Sequence, residues 1–437
     1  MSRIIRGEQW TLSYGGQFFD DGSLHSGVET ADRVVNEDYM GNIFGIFSSA
    51  SLPDPNFDFT PHWAYGTASK RNWYIQYKGK AAFSGSIGDI TLLNGNPLYL
   101  PIGYCKTTGT DVGGGGGSTL NGAVSRGAIQ VTVNDGSNYS NSDYIQIGTG
   151  DNAEVRQISS GGGTTTLVLN YPLLRDHANV ETCNEVEAPF THTSIEADEL
   201  LPIQIDATYV DTDGNDSLQR RYVGCKVGRA SISASQEGVA SFSLDDIQAR
   251  DMRYVDKDST NISPWYTTDI VKPTISCPTT EPYYFSYGEL SLAGTTFARI
   301  TDFKLDISNS LEPKYYITDD VGSHRVPYEI LEGRKEYTMG VTVDIEDASL
   351  FFELLRQGDY SSVYKGFQAI MTFTRGSNDT ITITTPPSAP AAGGDAMGCL
   401  IRTAPHNIVD SAIVGVSLDI SCRSVQVVTV DSVAVTP

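Results

Sequence analysis

Apolar and polar residues alternate with period two along much of the chain. Phe303, Leu305 and Ile307 are interleaved with Asp302, Lys304 and Asp306, and Val341, Val343 and Ile345 repeat this against Thr342, Asp344 and Glu346. Successive side chains of a β-strand point to opposite faces, so each segment predicts a strand with one buried and one wet face. Phe285 to Leu292 and Phe297 to Ile307 flank Ala293-Gly294-Thr295-Thr296, which predicts a hairpin. The period then changes. Asp347 suits an N-cap, Leu350, Phe351, Leu354 and Leu355 fall on one side, and Gly358 stands where a C-cap glycine belongs, predicting a short helix. Alternation returns at Phe367, Ala369, Met371 and Phe373, at Ile381 and Ile383, and at Val414, Val416, Leu418 and Ile420.

The first half carries the same signal more faintly. Ile203 to Val210 and Tyr222 to Ser235 predict a hairpin around DTDGNDSLQR, with a third strand from Gly238 to Leu244. Tyr74 to Ile87 reads as a strand, and Asp89 to Leu100 as a short helix or turn interrupted by Gly95 and Pro97. Residues 1–72 look irregular. Within them LPDPNFDFTPHWAYG carries Phe57 and Trp63, aromatic anchors for a neighbouring subunit if the segment is an arm rather than a folded-back loop. TTGTDVGGGGGS (107–118) has linker composition, and no Lys follows its glycines as a phosphate loop requires. Short strands punctuated by Gly, Asn and Asp then run to about Phe190, a small all-β module that interrupts the surrounding pattern.

In order and spacing, FSYGELSLAG, ITDFKLDISNSLEP, EGRKEYTMGVTVDIED and the helix behind them resemble the major tail tube proteins of long-tailed, siphovirus-like viruses. CKVGRASISAS lies along ARITDFKLDIS and GVASFSLDD along GVTVDIED, which suggests an internal duplication of about 100 residues with the long loop in the second copy alone. The expected fold is therefore mainly β: two tail-tube-type β-sandwich domains, each with at most a short helix, plus the inserted module. The boundaries are 1–72 for the arm, 73–106 with 196–250 for the split first tube domain, 107–195 for linker and module, 251–281 for a linker, and 282–437 for the second tube domain. The resemblance implies a sheet lining an inner barrel and a long loop reaching the adjacent ring. The matching loop is Asn309 to Glu329, with Asn309, Leu311, Tyr315 and Tyr316 as contact residues. Two tube domains per chain imply three chains in a ring of sixfold appearance. The implied partners are further copies of the chain, a tape measure protein, tail terminator and tail-tip proteins, and viral DNA passing without specific binding, in a virion tail assembled in the host cytoplasm.

Composition narrows the alternatives. The 437 residues carry a formal charge of −23, which disfavours binding nucleic acid through phosphate contacts. Six cysteines are scattered without a CxxC pair, so buried thiols are expected ahead of a metal site or disulfide framework. No apolar run is long enough to span a membrane, and MSRIIRGEQWTLSYGG has no apolar signal region, which predicts folding in the cytosol. The six histidines are single, without HExxH or GxSxG, and DTDGND is better explained as a turn than as a calcium loop. No enzyme, catalytic residue, metal or cofactor is expected. A cell-surface or fibre protein for adhesion or carbohydrate binding is the second reading, and a glycan hydrolase the third.

Overall fold

The structure is a computed structural model that describes residues 10–16, 42–63, 75–112, 117–210, 217–236, 238–256, 280–297, 300–316, 325–344, 366–389, 398–404, 406–407 and 415–433. The helix expected at Asp347 to Gly358 and the DTDGND turn lie outside them.

Antiparallel strands form two large sheets. Eight strands of the first lie side by side: Ser49–Ser51, Ile75–Thr91, Ser241–Gln248, Ser217–Ser235, Ile300–Ser308, Glu336–Asp344, Gly415–Cys422 and Leu400–Thr403. The early part of Ser217–Ser235 also pairs with Ile203–Val210 and Asp251–Asp256, and Trp10–Gly16 lies beyond Ile203–Val210. The second sheet runs Thr295–Phe297, Gly288–Leu292, Ala369–Gly376, Asp379–Thr385, Gln426–Asp431, Thr182–Glu196, with Gly103–Asp111 also against Thr182–Glu196.

Strands from both halves of the chain enter both sheets. They meet at two seams, where Arg229–Ser235 pairs with Asp302–Ser308 in the first sheet and Phe190–Thr193 with Val428–Asp431 in the second. Between the sheets lies one core. Phe242, Phe303, Leu305, Met339 and Leu418 come from the first sheet, and Leu290, Met371, Phe373 and Ile383 from the second. Each of these is fully or almost fully buried, and burial of a side chain of this size contributes about 1.5–3 kcal/mol.

A second core belongs to the module. Leu120, Val131, Val133, Ile145, Ile147, Ile158, Leu167 and Cys183 cluster apart from the main one. The module joins the second sheet through Thr182–Glu196, whose early residues pair with Tyr144–Ile147 and whose later residues pair with Gln426–Asp431.

Several elements differ from expectation. Phe297 to Ile307 is not one strand. Thr295–Phe297 pairs with Gly288–Leu292 in the second sheet, whereas Ile300–Ser308 belongs to the first, so the two parts of the expected strand lie in different layers. Residues 1–72 hold Trp10–Gly16 and Pro55–His62, both paired with neighbouring strands along their length, so the segment is less irregular than its prolines suggest. The short helix or turn expected at Asp89 to Leu100 is present as the 3-10 turn Asn96–Tyr99, with Pro97 in its first turn. Of the linker expected at 107–118, the described parts on either side of 113–116 include strand: Gly103–Asp111 and Ser118–Thr119 both pair with Thr182–Glu196. The linker at 251–281 likewise begins as the strand Asp251–Asp256. The segments aligned as duplicate copies, 225–235 and 298–308, are direct antiparallel neighbours in space.

Curvature of the first sheet is built in by bulges. Between Ile75–Thr91 and Ser241–Gln248 the register slips twice, at Asp89 (φ 50°) and at Asp246 (φ 54°). Aspartate tolerates this left-handed backbone better than most residues, and each extra residue bends the strand. The slip at Asp89 keeps both Ile87 and Ile90 in the core. Gly224 (φ 62°) makes a third irregularity in Ser217–Ser235, where a Cβ would stand 2.9 Å from that of Arg250.

Candidate assembly surfaces and wall

The eight-stranded part of the first sheet is buried on one side and polar on the other. Its wet face carries Ser231, Ser233 and Ser235 on Ser217–Ser235, Ser241, Ser243 and Asp245 on Ser241–Gln248, and Asp302, Lys304 and Asp306 on Ile300–Ser308. It continues with Glu336, Thr338, Thr342 and Asp344 on Glu336–Asp344, and Ser417, Asp419 and Ser421 on Gly415–Cys422. Acids outnumber cations here. Arg229 stands directly opposite Asp245, and Lys304 Nζ lies 2.9 Å from Asp306 Oδ1, so the cations are partly neutralised locally. The half of this face before the seam is dominated by hydroxyls, and the half after it by carboxylates.

Both margins of this sheet are short edge strands. Ser49–Ser51 is exposed throughout, and Leu400–Thr403 becomes exposed at Arg402 and Thr403. Edge strands carry backbone groups available for pairing with another chain.

Two excursions leave one end of the sheet. One connects Ser49–Ser51 to Ile75–Thr91, the other Ile300–Ser308 to Glu336–Asp344. Strands four positions apart in an antiparallel sheet run in the same direction, so both excursions start from the same end. The first is a hairpin: Pro55–His62 pairs with Ile75–Ala81 and on to Phe83. The second contains the small hairpin of Glu312–Lys314 with Glu329–Leu331. They touch. The Tyr315 hydroxyl donates to Ala81 O at 2.8 Å, the Ala81 amide donates to Arg325 O at 2.6 Å, and Lys80 Nζ lies 5.1 Å from the Tyr315 ring centroid. Burial, then the Asp58 carboxylate, raises the Tyr315 phenol above its ordinary range.

The six residues singled out from the sequence fall into different places. Asn309 is buried at the base of the second excursion, where Nδ2 donates to Pro101 O and Val227 O, each at 2.9 Å. It fixes the loop's root. Leu311 is half-buried, and Tyr315 bridges the two excursions. Tyr316 is 48% exposed, packed edge-on to Tyr328 at 5.5 Å with its hydroxyl donating to Glu329 Oε1 at 2.7 Å. Phe57 packs on the main core, while Trp63 is 55% exposed. Phe59, which alternates with Phe57 across Asp58 in the same segment, is 56% exposed.

The group with the most enzyme-like composition lies in the module. Glu154 Oε2 accepts from Arg156 Nη2 at 2.6 Å and from the Leu174 amide at 2.9 Å, and His177 sits between Glu154 (3.4 Å) and Glu181 (2.7 Å). Burial opposes every one of these charges, yet Arg156 and His177 outweigh it at Glu154 and hold that carboxyl below its ordinary range. The two carboxylates likewise outweigh burial at His177 and raise it. Arg156, Glu154 and the His177 side chain are sealed from solvent, so the cluster serves as an internal brace of the module. Among the described residues no three His, Cys, Asp or Glu side chains group as a metal site, and no helix is long and apolar enough to cross a membrane.

A two-faced antiparallel sheet with open edges and projections from one end defines a β-rich protein with no grouped catalytic or metal-binding side chains among the described residues. The family profile described as phage tail tube protein matches residues 30–422, and the chain belongs to that family, a structural component of the viral tail. No curated protein matches the chain.

Proposed function

We propose that this chain polymerises edge to edge into rings that stack as the tube of a viral tail and conduct the genome. The observation that carries this reading is the eight-stranded sheet with one apolar face, one acidic face and two open margins. Eight strands closed on themselves leave an interior that side chains fill. Pairing Leu400–Thr403 of one copy with Ser49–Ser51 of the next extends the wall instead, and three copies supply 24 strands. At strand spacings of about 4.8 Å and tilts of about 35–45°, the backbone-to-backbone diameter is roughly 45–52 Å, which leaves room for a duplex inside.

Each copy supplies two four-strand sets in the same orientation, each with an excursion at the same end, so three chains give a ring of sixfold appearance. The excursions are the inter-ring contacts, with Phe59, Trp63 and Tyr316 as exposed anchors; Phe57, Leu311, Tyr315 and Asn309 support them from behind. The carboxylates of the wet face repel the phosphate backbone, so DNA slides without being held. Tape measure, terminator and tail-tip proteins are the partners this reading calls for, with assembly in the host cytoplasm.

The triple substitution Phe59→Ser, Trp63→Ser and Tyr316→Ser separates ring closure from stacking. The expected result by negative-stain microscopy is single rings with tubes shortened at least about tenfold, since exposed aromatic anchors carry most of an interface's energy. Tubes of unchanged length would remove these residues from the inter-ring contact.

A further inference from the structure

Of the six cysteines, the five within the described residues are free thiols, and two of them face each other. Leu400 pairs with Ser421 and Ile401 with Ile420 in an antiparallel ladder, which sets Cys399 opposite Cys422. The Cys399 amide and carbonyl are both turned the other way: the amide donates to Phe367 O at 2.7 Å and the carbonyl accepts from the Phe367 amide at 3.1 Å. Cys399 and Cys422 are therefore a non-hydrogen-bonded pair. In such pairs the Cα atoms approach to about 4.5 Å and the side chains lean together on one face. That separation lies within the range a disulfide requires. Both side chains point into the protein, Cys399 fully buried and Cys422 nearly so, and Cys399 Sγ also lies 3.2 Å from Thr385 O.

We propose that Cys399 and Cys422 are a cross-linking site, oxidised to a disulfide that staples the last edge strand, Leu400–Thr403, onto the body of the sheet. A hydrogen bond from Cys422 holds the Cys399 thiol below its ordinary range, and the same bond raises Cys422. The oxidant is hydrogen peroxide, small enough to enter a tightly packed site. One thiolate attacks it to give a sulfenic acid and hydroxide. The second thiol then displaces that hydroxyl as water while the S–S bond forms, so two thiols and one peroxide give one disulfide and two waters. The remaining cysteines within the described residues lack such a partner in the ladder: Cys183 lies in the module core, Cys225 in the main core, and Cys105 on Gly103–Asp111. The bond would enclose the segment between residues 399 and 422 and hold a sheet margin in place. In a ring closed edge to edge that margin is a seam, but the chemistry does not depend on assembly.

The test is peroxide treatment of the purified full-length chain, alkylation under denaturing conditions, and digestion without reductant. Mass spectrometry is expected to find the Cys399 and Cys422 peptides joined and two hydrogens lighter than the free pair, with the other four cysteines alkylated. Thermal melting is expected to shift upward on oxidation in the native chain, and not in Cys422→Ser. Separate alkylation of both thiols, a link from either to another cysteine, or a sulfinic acid at either position overturns the proposal. Because linkage is read on the native sequence, a folding defect in the serine variant does not alter the outcome.

Discussion

Arg221→Ala is expected to destabilise the chain by about 3–5 kcal/mol, a large part of the roughly 5–15 kcal/mol that holds a typical domain together. Arg221 Nη2 donates to Asp206 Oδ2 at 2.7 Å and Nε to Oδ1 at 3.0 Å, and both side chains are almost completely buried. The pair sits where Ile203–Val210 crosses the early part of Ser217–Ser235, with Asp206 and Arg221 directly opposite in register. Its bidentate geometry compensates much of the cost of desolvation. Removing the guanidinium strands a buried carboxylate, whereas replacing both partners, as in Asp206→Leu with Arg221→Met, leaves no orphaned charge and is expected to cost far less. Urea denaturation of the two variants checks this, and a cost below about 1 kcal/mol for Arg221→Ala would refute the account of the pair.

Reversal of wall charge has the larger functional effect. Asp302→Lys with Asp306→Lys and Asp344→Lys places cations on exposed or half-buried positions of the wet face and leaves Phe303, Leu305 and Val343 in the core untouched. Folding is expected to survive, since surface substitutions away from special features shift stability by about 0.5 kcal/mol or less each. The altered tubes should hold duplex DNA on the order of tenfold or more tightly, with an affinity that falls steeply as salt rises, and genome ejection should slow to match. Ejection at the native rate from such tubes would show that the acidic wall does not govern sliding.

The strands are legible wherever one face is buried and the other wet. Ile203–Val210, the part of Ser217–Ser235 from Tyr222 onward, Glu336–Asp344, Ala369–Gly376 and Asp379–Thr385 are legible in the sequence, whereas Ser217 to Arg220 read as turn; the module follows from its Gly, Asn and Asp punctuation. Layer membership does not follow. Alternation is regular only from Asp302 to Ile307; Arg299 and Thr301 break the phase between Phe297 and Phe303, and that break marks the passage from the second sheet to the first, a signal that the hairpin reading of Phe297 to Ile307 passes over. Pro55–His62 is hidden by Pro55 and Pro61, which disfavour a central strand yet are tolerated at an edge. That conceals the first excursion and makes the long loop look unique to the second half.

Buried charge is hidden for a similar reason. Asp206 and Arg221 occupy positions that read as a solvated face, and only the full packing shows both sides of that strand covered. Asn309 suggests an interface because it begins a long polar loop; its amide is spent within the chain, on two backbone carbonyls. The Cys399–Cys422 pairing joins residues separated by a loop and depends on register, which composition does not carry.

On the proposed assembly, one chain contributes two four-strand sets, one before the seam and one after it, to a shared wall. Native mass spectrometry of assembled rings, read beside end-on particle averages, tests it most directly. Three chains per ring are expected, with six similar lobes around a hollow centre. Six chains per ring, or particles that remain monomers under conditions where the native tail forms, would contradict it.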